Sequence, residues 1–205
     1  GEAQAPGWGE LEESVMITHI AVWITQAVSI REMAVRLLLV LSFFLFSLAQ
    51  AVAEQPTKAI ADCNQFEDSA RQIKGCTEFI RLGKALGPNL AVAYTNRGIA
   101  YAAQGNFKRA IRDFTEAIKL APDDPHPYYN RGNAYYDLKK YEKALADYTA
   151  AIERGPEMAL AYYNRGLAHQ RLGHRKESIE DFQKALSLDP SSQAARDRLH
   201  KLGVP

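Results

Sequence analysis

The sequence predicts an all-α protein, a solenoid of antiparallel helical hairpins closed by a C-terminal capping helix. Three observations predict it. Asn-Arg-Gly occurs three times at a spacing of 34 residues, at Asn96-Arg97-Gly98, Asn130-Arg131-Gly132 and Asn164-Arg165-Gly166. Pro122, Pro156 and Pro190 keep the same spacing, as do Tyr94, Tyr128 and Tyr162, then Phe114, Tyr148 and Phe182, then Ala117, Ala151 and Ala185. Each period carries two stretches of helical spacing around a turn signal: Tyr94, Gly98 and Tyr101 precede Gly105-Asn106, and Ala110, Phe114 and Ala117 follow it. One hairpin cannot bury both faces of its helices, so the copies must stack.

Residues 1–32 open on Gly1 and carry Glu10, Glu12 and Glu13 before an apolar segment from Val15 to Ile30. An acidic lead is wrong for the start of a signal peptide. Either Met33 is the working initiator and the preceding residues are an over-long start assignment, or they form an amphipathic or membrane-touching extension; the sequence does not decide. Residues 33–53 predict a signal peptide: Met33 and Arg36, the apolar run Leu37 to Ala49, then Ala51-Val52-Ala53. Cleavage is expected after Ala53, with a periplasmic or secreted product. The alternative is a membrane anchor over residues 37–53, although a span needs about 20 apolar residues. Membrane contact is expected only through this segment, if it stays uncleaved.

Residues 57–90 read as a divergent helical hairpin. Thr77-Glu78-Phe79-Ile80 echoes Thr115-Glu116-Ala117-Ile118, and Pro88 stands 34 residues before Pro122. The echo is spaced by 38 residues, which places an insertion near Leu82 to Leu86. Cys63 and Cys76 are the only cysteines, one on each expected helix. In an exported chain an even count suggests a disulfide, worth on the order of 3 kcal/mol for a loop of this size. Two small buried thiols are the other reading.

Frames at 91–124, 125–158 and 159–192 then follow without gaps. Pro122, Pro156 and Pro190 lack an amide hydrogen and close the second helix of each. A mid-helix glycine costs roughly 1 kcal/mol against alanine, so Gly98, Gly132 and Gly166 need a packing reason, assigned here to small facing residues at Ala110 and Ala144. Sixteen residues after each arginine stands Asp113, Asp147 or Asp181, at similar height on the facing helix. The expectation is three structural ion pairs, with a solvated basic stripe as the rival. The third frame departs from the others at His169, Arg175 and Ser178, as a terminal repeat commonly does. Residues 193–203 form the capping helix, with Ser191 or Ser192 as its cap and Gly203 as its stop.

This order of residue types at a 34-residue period resembles the tetratricopeptide repeat, and most resembles the small signal-bearing bacterial proteins of that family. The resemblance implies a right-handed solenoid whose first helices line a concave groove for a peptide or partner protein. The groove positions it implies include Asn96, Asn130 and Asn164, with Tyr129, Tyr163, Asn133, Tyr136, Asp137 and Arg171. A column of carboxamides offers a donor and an acceptor at each step, which suits the backbone of an extended chain. The tyrosines add apolar area with a polar tip. The structural reading is that the asparagines only join hairpins to one another. Chaperone adaptors of the family hold a terminal carboxylate with lysines at positions that are Val92, Thr95, His126, Tyr129, Leu160 and Tyr163 here, so that clamp is not implied.

Composition excludes other classes. Removing Arg31, Arg36, Glu2, Glu10, Glu12, Glu13 and Glu32 from 25 basic and 24 acidic residues leaves 23 and 19, a net charge of about +4. That is too mild to imply nucleic acid as a partner. No catalytic motif, cofactor fingerprint or metal-ligand spacing is present; His169 and His174, five apart, read as surface or core residues. The expectation is a non-enzymatic, exported interaction scaffold without cofactor or metal. Its alternatives are a self-associating structural module and a regulatory subunit of a cell-envelope complex.

Overall fold

The computed structural model describes residues 8–82 and 89–204, with side chains along the first helix described at 18–23, 29, 32–45 and from 57 onward. The side chains of Ala51-Val52-Ala53 lie outside the described residues, as do Pro88 and the insertion expected near Leu82 to Leu86, save Leu82 itself. The chain divides into two compact units, Gly1–Glu54 and Gln55–Pro205. The first is helical, within α1 (Trp8–Asn64), and its described apolar side chains, Leu37, Phe43 and Phe44 among them, are exposed. Among the described residues no helix is long and apolar enough to cross a membrane.

The second unit is a right-handed stack of hairpins. The last turns of α1 pair with α2 (Ser69–Leu82), α3 (Leu90–Ala103) with α4 (Phe107–Leu120), α5 (Pro125–Asp137) with α6 (Tyr141–Arg154), and α7 (Ala159–Leu172) with α8 (Arg175–Leu188). Helix α9 (Gln193–Lys201) then packs on α8, burying Ala195 and Leu199. Consecutive helices touch, and α3 also meets α5 as α5 meets α7, so the first helices of the hairpins line the inner face.

Local chemistry sets the boundaries. Asn106 accepts from the Arg109 amide to start α4, Asp124 accepts from His126 with Pro125 behind it to start α5, and Ser192 caps α9. Helices α4, α6 and α8 stop at Ala121, Gly155 and Asp189, one residue before the register prolines. The first helix of each frame ends in the same turn: the amide of Asn106, Lys140 or His174 donates to the carbonyl of Tyr101, Tyr135 or His169. The intervening backbone is left-handed at Gly105, Lys139 and Gly173.

Packing corrects one expectation from the sequence. Ala110 and Ala144 do not explain the helical glycines; they face forward into clusters with Ala134 and Ala168 of the following frame. A Cβ on Gly98, Gly132 or Gly166 would instead meet the ring of Phe114, Tyr148 or Phe182 at 2.6, 2.7 and 2.9 Å. The glycine is the floor of a slot for the aromatic ring of its own hairpin.

Cys63 and Cys76 form a disulfide, with Ala59, Phe79 and Ala93 packed around it. It ties α1 to α2 where Gly75 lets the two backbones approach.

Candidate functional site

The arginine of each triplet is consumed by structure. Arg131 donates from Nε and Nη2 to the two carboxylate oxygens of Asp147 at 2.8 and 2.7 Å. Arg97 does the same to Asp113 at 2.7 and 2.9 Å, and Arg165 to Asp181 at 3.0 and 2.8 Å. The third nitrogen, Nη1, reaches back to the preceding hairpin, to the hydroxyls of Thr77, Thr115 and Thr149. Each guanidinium also lies over a tyrosine of its own helix, Tyr94, Tyr128 or Tyr162. The Asp147 carboxylate is only 9 % exposed and Arg131 18 %. The hydrogen bonds to Asp147 hold the Arg131 guanidinium above its ordinary pKa against the opposing effect of burial. The cations are therefore buried links, within hairpins and between them, and no basic stripe lines the inner face.

The asparagines of the three triplets differ from one another. Asn96 is buried, 8 % exposed, and its amide donates to the Cys63 carbonyl and to Asn64 Oδ1. It joins α3 to α1 beside the disulfide. Asn164 is half-buried and donates to the Tyr129 hydroxyl at 3.0 Å and to Asn133 Oδ1 at 2.9 Å, joining α7 to α5. Asn130 is half-buried and its carboxamide has no hydrogen-bond partner among the described residues. The register explains the gap: where Asn164 finds Asn133, Asn130 faces the position of Ile99, which accepts nothing.

The polar groups gather between α5 and α7. Tyr148, on α6, sends its hydroxyl through the hairpin to Asn133 Oδ1 at 2.9 Å, so one amide oxygen accepts from both Tyr148 and Asn164. Asn133, Tyr136, Asp137, Tyr148, Asn164 and Leu167 line a cleft of about 310 Å³. Arg171 donates to the Tyr136 hydroxyl at 3.1 Å across its outer end, and Asp137 is exposed. The Tyr148 ring is buried, which pushes its phenol pKa far up and keeps it a neutral donor. Tyr129 tilts against Tyr148, and Tyr163 against Phe182. Of the residues expected at the groove, Asn133, Tyr136, Asn164 and Arg171 thus meet around one cleft, with Tyr129 bonded to the same network. Asn130 lies apart from that network, Tyr163 packs on α8, and Asn96 is enclosed at the N-terminal end.

Tyr148 was not legible as a groove residue from hydropathy, because its register position reads as core. The available signal is a paired change: the middle frame alone has a hydroxyl-bearing ring at that position and an asparagine, Asn133, where the others have Ile99 and Leu167. The three threonines escaped notice as partners for the same reason, being read only as an echo between frames.

A stack of helical hairpins whose first helices face a shared inner surface is a protein-interaction fold. The tetratricopeptide-repeat profile matches residues 95–159 and 129–195. Among solved structures, the first such domain of Spaghetti (RPAP3), bound to the HSP90 peptide SRMEEVD, is 30% identical with a TM-score of 0.54 over 55% of this chain and 90% of that one. The second domain of human RPAP3, in complex with the HSP70 peptide SGPTIEEVD, is 32% identical with a TM-score of 0.55 over 58% of this chain and 100% of that one. MamA from Desulfovibrio magneticus RS-1 is 27% identical with a TM-score of 0.65 over 74% of this chain and 83% of that one. No curated protein sequence matches the chain. The chain belongs to the tetratricopeptide-repeat family.

Proposed function

We propose that the protein is an exported, non-enzymatic scaffold that takes an extended segment of a partner protein along the inner face of α3, α5 and α7. The observation that carries this reading is the cleft between α5 and α7, where neutral donors and acceptors converge beside the unsatisfied carboxamide of Asn130. A half-buried amide with neither donor nor acceptor satisfied gains from meeting a peptide group. The domains of RPAP3 that bind the HSP90 and HSP70 peptides support the mode of binding. Their ligands end in Glu-Glu-Val-Asp; the inner face here carries no lysine at the clamp positions, and its triplet arginines are committed to aspartates. The segment it takes is accordingly neutral or carries a cation for Asp137, and it is read along its backbone rather than by its terminal carboxylate.

Export is supported by the apolar run from Leu37 to Leu45 and by the disulfide, which belongs to an oxidising compartment. Burial of Ala195 and Leu199 under α9 favours a single scaffold over end-to-end stacking at the C-terminal end. The test is crosslinking in the native compartment, comparing the wild type with the double substitution Asn130→Ala and Asp137→Ala. Neither side chain supports the fold by a hydrogen bond or ion pair, so helicity should hold while partner capture falls. Capture equal to the wild type would move the site off the inner face.

A further inference from the structure

The turn between α7 and α8 holds two imidazoles nose to nose. His169 Nδ1 and His174 Nδ1 are 3.2 Å apart, and the ring centroids are 5.5 Å apart. The backbone fixes this approach: Gly173 is left-handed at φ 80° and the His174 amide donates to the His169 carbonyl at 2.9 Å. That turn recurs in the other two frames, where the same two positions hold Tyr101 with Asn106 and Tyr135 with Lys140. In the first frame the second position is a working cap, since Asn106 accepts from the Arg109 amide. His174 makes no such bond, and its ring turns to His169 instead. Both members of a turn pair have become histidine, at the loss of a helix cap that is worth about 1 kcal/mol.

We propose that His169 and His174 form a two-imidazole chelate for a borderline divalent transition metal, with Zn2+, Ni2+ and Cu2+ as the class. Two nitrogens bound to one such ion at about 2.0–2.1 Å, between square and tetrahedral angles, lie roughly 2.9–3.4 Å apart, and the observed 3.2 Å falls inside that interval. In the metal-free form one nitrogen must carry the hydrogen between the rings. Metal replaces that proton, and both rings tilt so that their lone pairs converge to one side. His174 is exposed and can do so. Behind His169, its other nitrogen Nε2 lies 3.9 Å from Asp181 Oδ2. A carboxylate there favours the Nε2–H tautomer and leaves the Nδ1 lone pair for the ion, the usual arrangement behind a ligating histidine. Among the described residues no third His, Cys, Asp or Glu completes the set. The remaining positions are therefore water or a group from a partner, which makes this an open site on the outer end of the third hairpin.

The experiment is equilibrium dialysis of the full chain against Zn2+ alone in chelator-stripped buffer, with histidine 15N spectra as a second readout. One saturable site per chain is expected, with shifts at the Nδ1 resonances of His169 and His174. His174→Asn, which restores the residue that caps α4, and His169→Tyr, which restores the residue of the first two frames, should each weaken binding at least tenfold while helicity holds. His200→Gln should bind as the wild type does. Absence of a saturable site, or Zn2+ binding of wild-type strength in either His169→Tyr or His174→Asn, overturns the proposal.

Discussion

The Tyr148 hydroxyl donates to Asn133 Oδ1 across the middle hairpin, and among the described residues neither neighbouring frame has this bond, because Phe114 and Phe182 occupy the ring position. The bond turns a core aromatic into a polar floor for the inner cleft. It also fixes the Asn133 amide, whose oxygen receives Asn164 from the next hairpin.

Asn133→Leu should therefore cost more than its surface position suggests. Tyr148 is 1 % exposed, and losing its acceptor strands a buried hydroxyl at a cost of about 1–3 kcal/mol. Tyr148→Phe in the same chain removes the stranded group and reproduces the residue pairing of the flanking frames. The double variant is expected to be more stable than Asn133→Leu alone, and urea unfolding measures the coupling. If the two changes simply add, the bond contributes nothing.

Breaking one arginine link should be felt in two hairpins. Asp147→Asn leaves the Arg131 guanidinium half-buried with one weak partner, and the cost of breaking a buried pair is roughly 3 kcal/mol. Thr115→Val removes only the bond to the preceding hairpin, at about 1 kcal/mol. Thermal unfolding of the two variants should rank them in that order. Unchanged stability in Asp147→Asn would mean that solvent replaces the carboxylate at no cost.

The fold was legible because a repeat states its boundaries three times: the prolines, the Gly-Asn and Leu-Gly turns and the aromatic positions all agree. The arginine-aspartate pairs followed from spacing along two antiparallel helices. The inner cleft was only half legible. Asn133, Asn164, Tyr136 and Arg171 came from register, which tells which face a residue occupies but not which neighbour satisfies it. Asn96 shows the limit: it shares the register of Asn130, yet the carbonyl of Cys63 and the amide of Asn64 are within its reach, and no such acceptor faces Asn130. The glycine slots were misassigned because the residue that fills them lies sixteen positions away on the facing helix.

Two backbone substitutions in the middle frame should move stability in opposite directions. Gly132→Ala gains roughly 1 kcal/mol of helix propensity but sets a methyl 2.7 Å from the buried Tyr148 ring, so overpacking of about 1–3 kcal/mol should win. Lys139 has φ 58° where the other frames use Gly105 and Gly173. Lys139→Gly is expected to raise stability by about 1 kcal/mol, since a left-handed residue with a Cβ is strained. Calorimetry of both variants checks the signs.

Acid should weaken the third hairpin through His169. Burial lowers its imidazole pKa below the ordinary 6.5, and its surroundings, Asp181, Arg165, His174 and Glu177, do not reverse the direction. Below about pH 6.5 the unfolded chain takes up a proton that the folded chain accepts less readily. The contribution to stability is thus complete above that pH and is lost as pH falls toward the lower folded value. His169→Tyr should show a smaller drop in Tm between pH 7.5 and pH 5 than the wild type. An identical drop in the two proteins would place the acid sensitivity elsewhere.

Reduction of the disulfide should loosen one end of the stack and spare the rest. The bond between Cys63 and Cys76 closes a short loop in a hairpin that has a following hairpin on one side, and the chain-entropy estimate is about 3 kcal/mol. Solenoid stability is close to a sum over neighbouring units, so its loss is not shared evenly. Asn96 transmits part of it, because the Cys63 carbonyl that receives its amide moves with α1. In Cys63→Ala with Cys76→Ala, hydrogen exchange should accelerate over residues 57–82 and more weakly in α3, while α6, α7 and α8 keep wild-type protection. Uniform acceleration along the whole stack would show that the hairpins unfold as one cooperative unit.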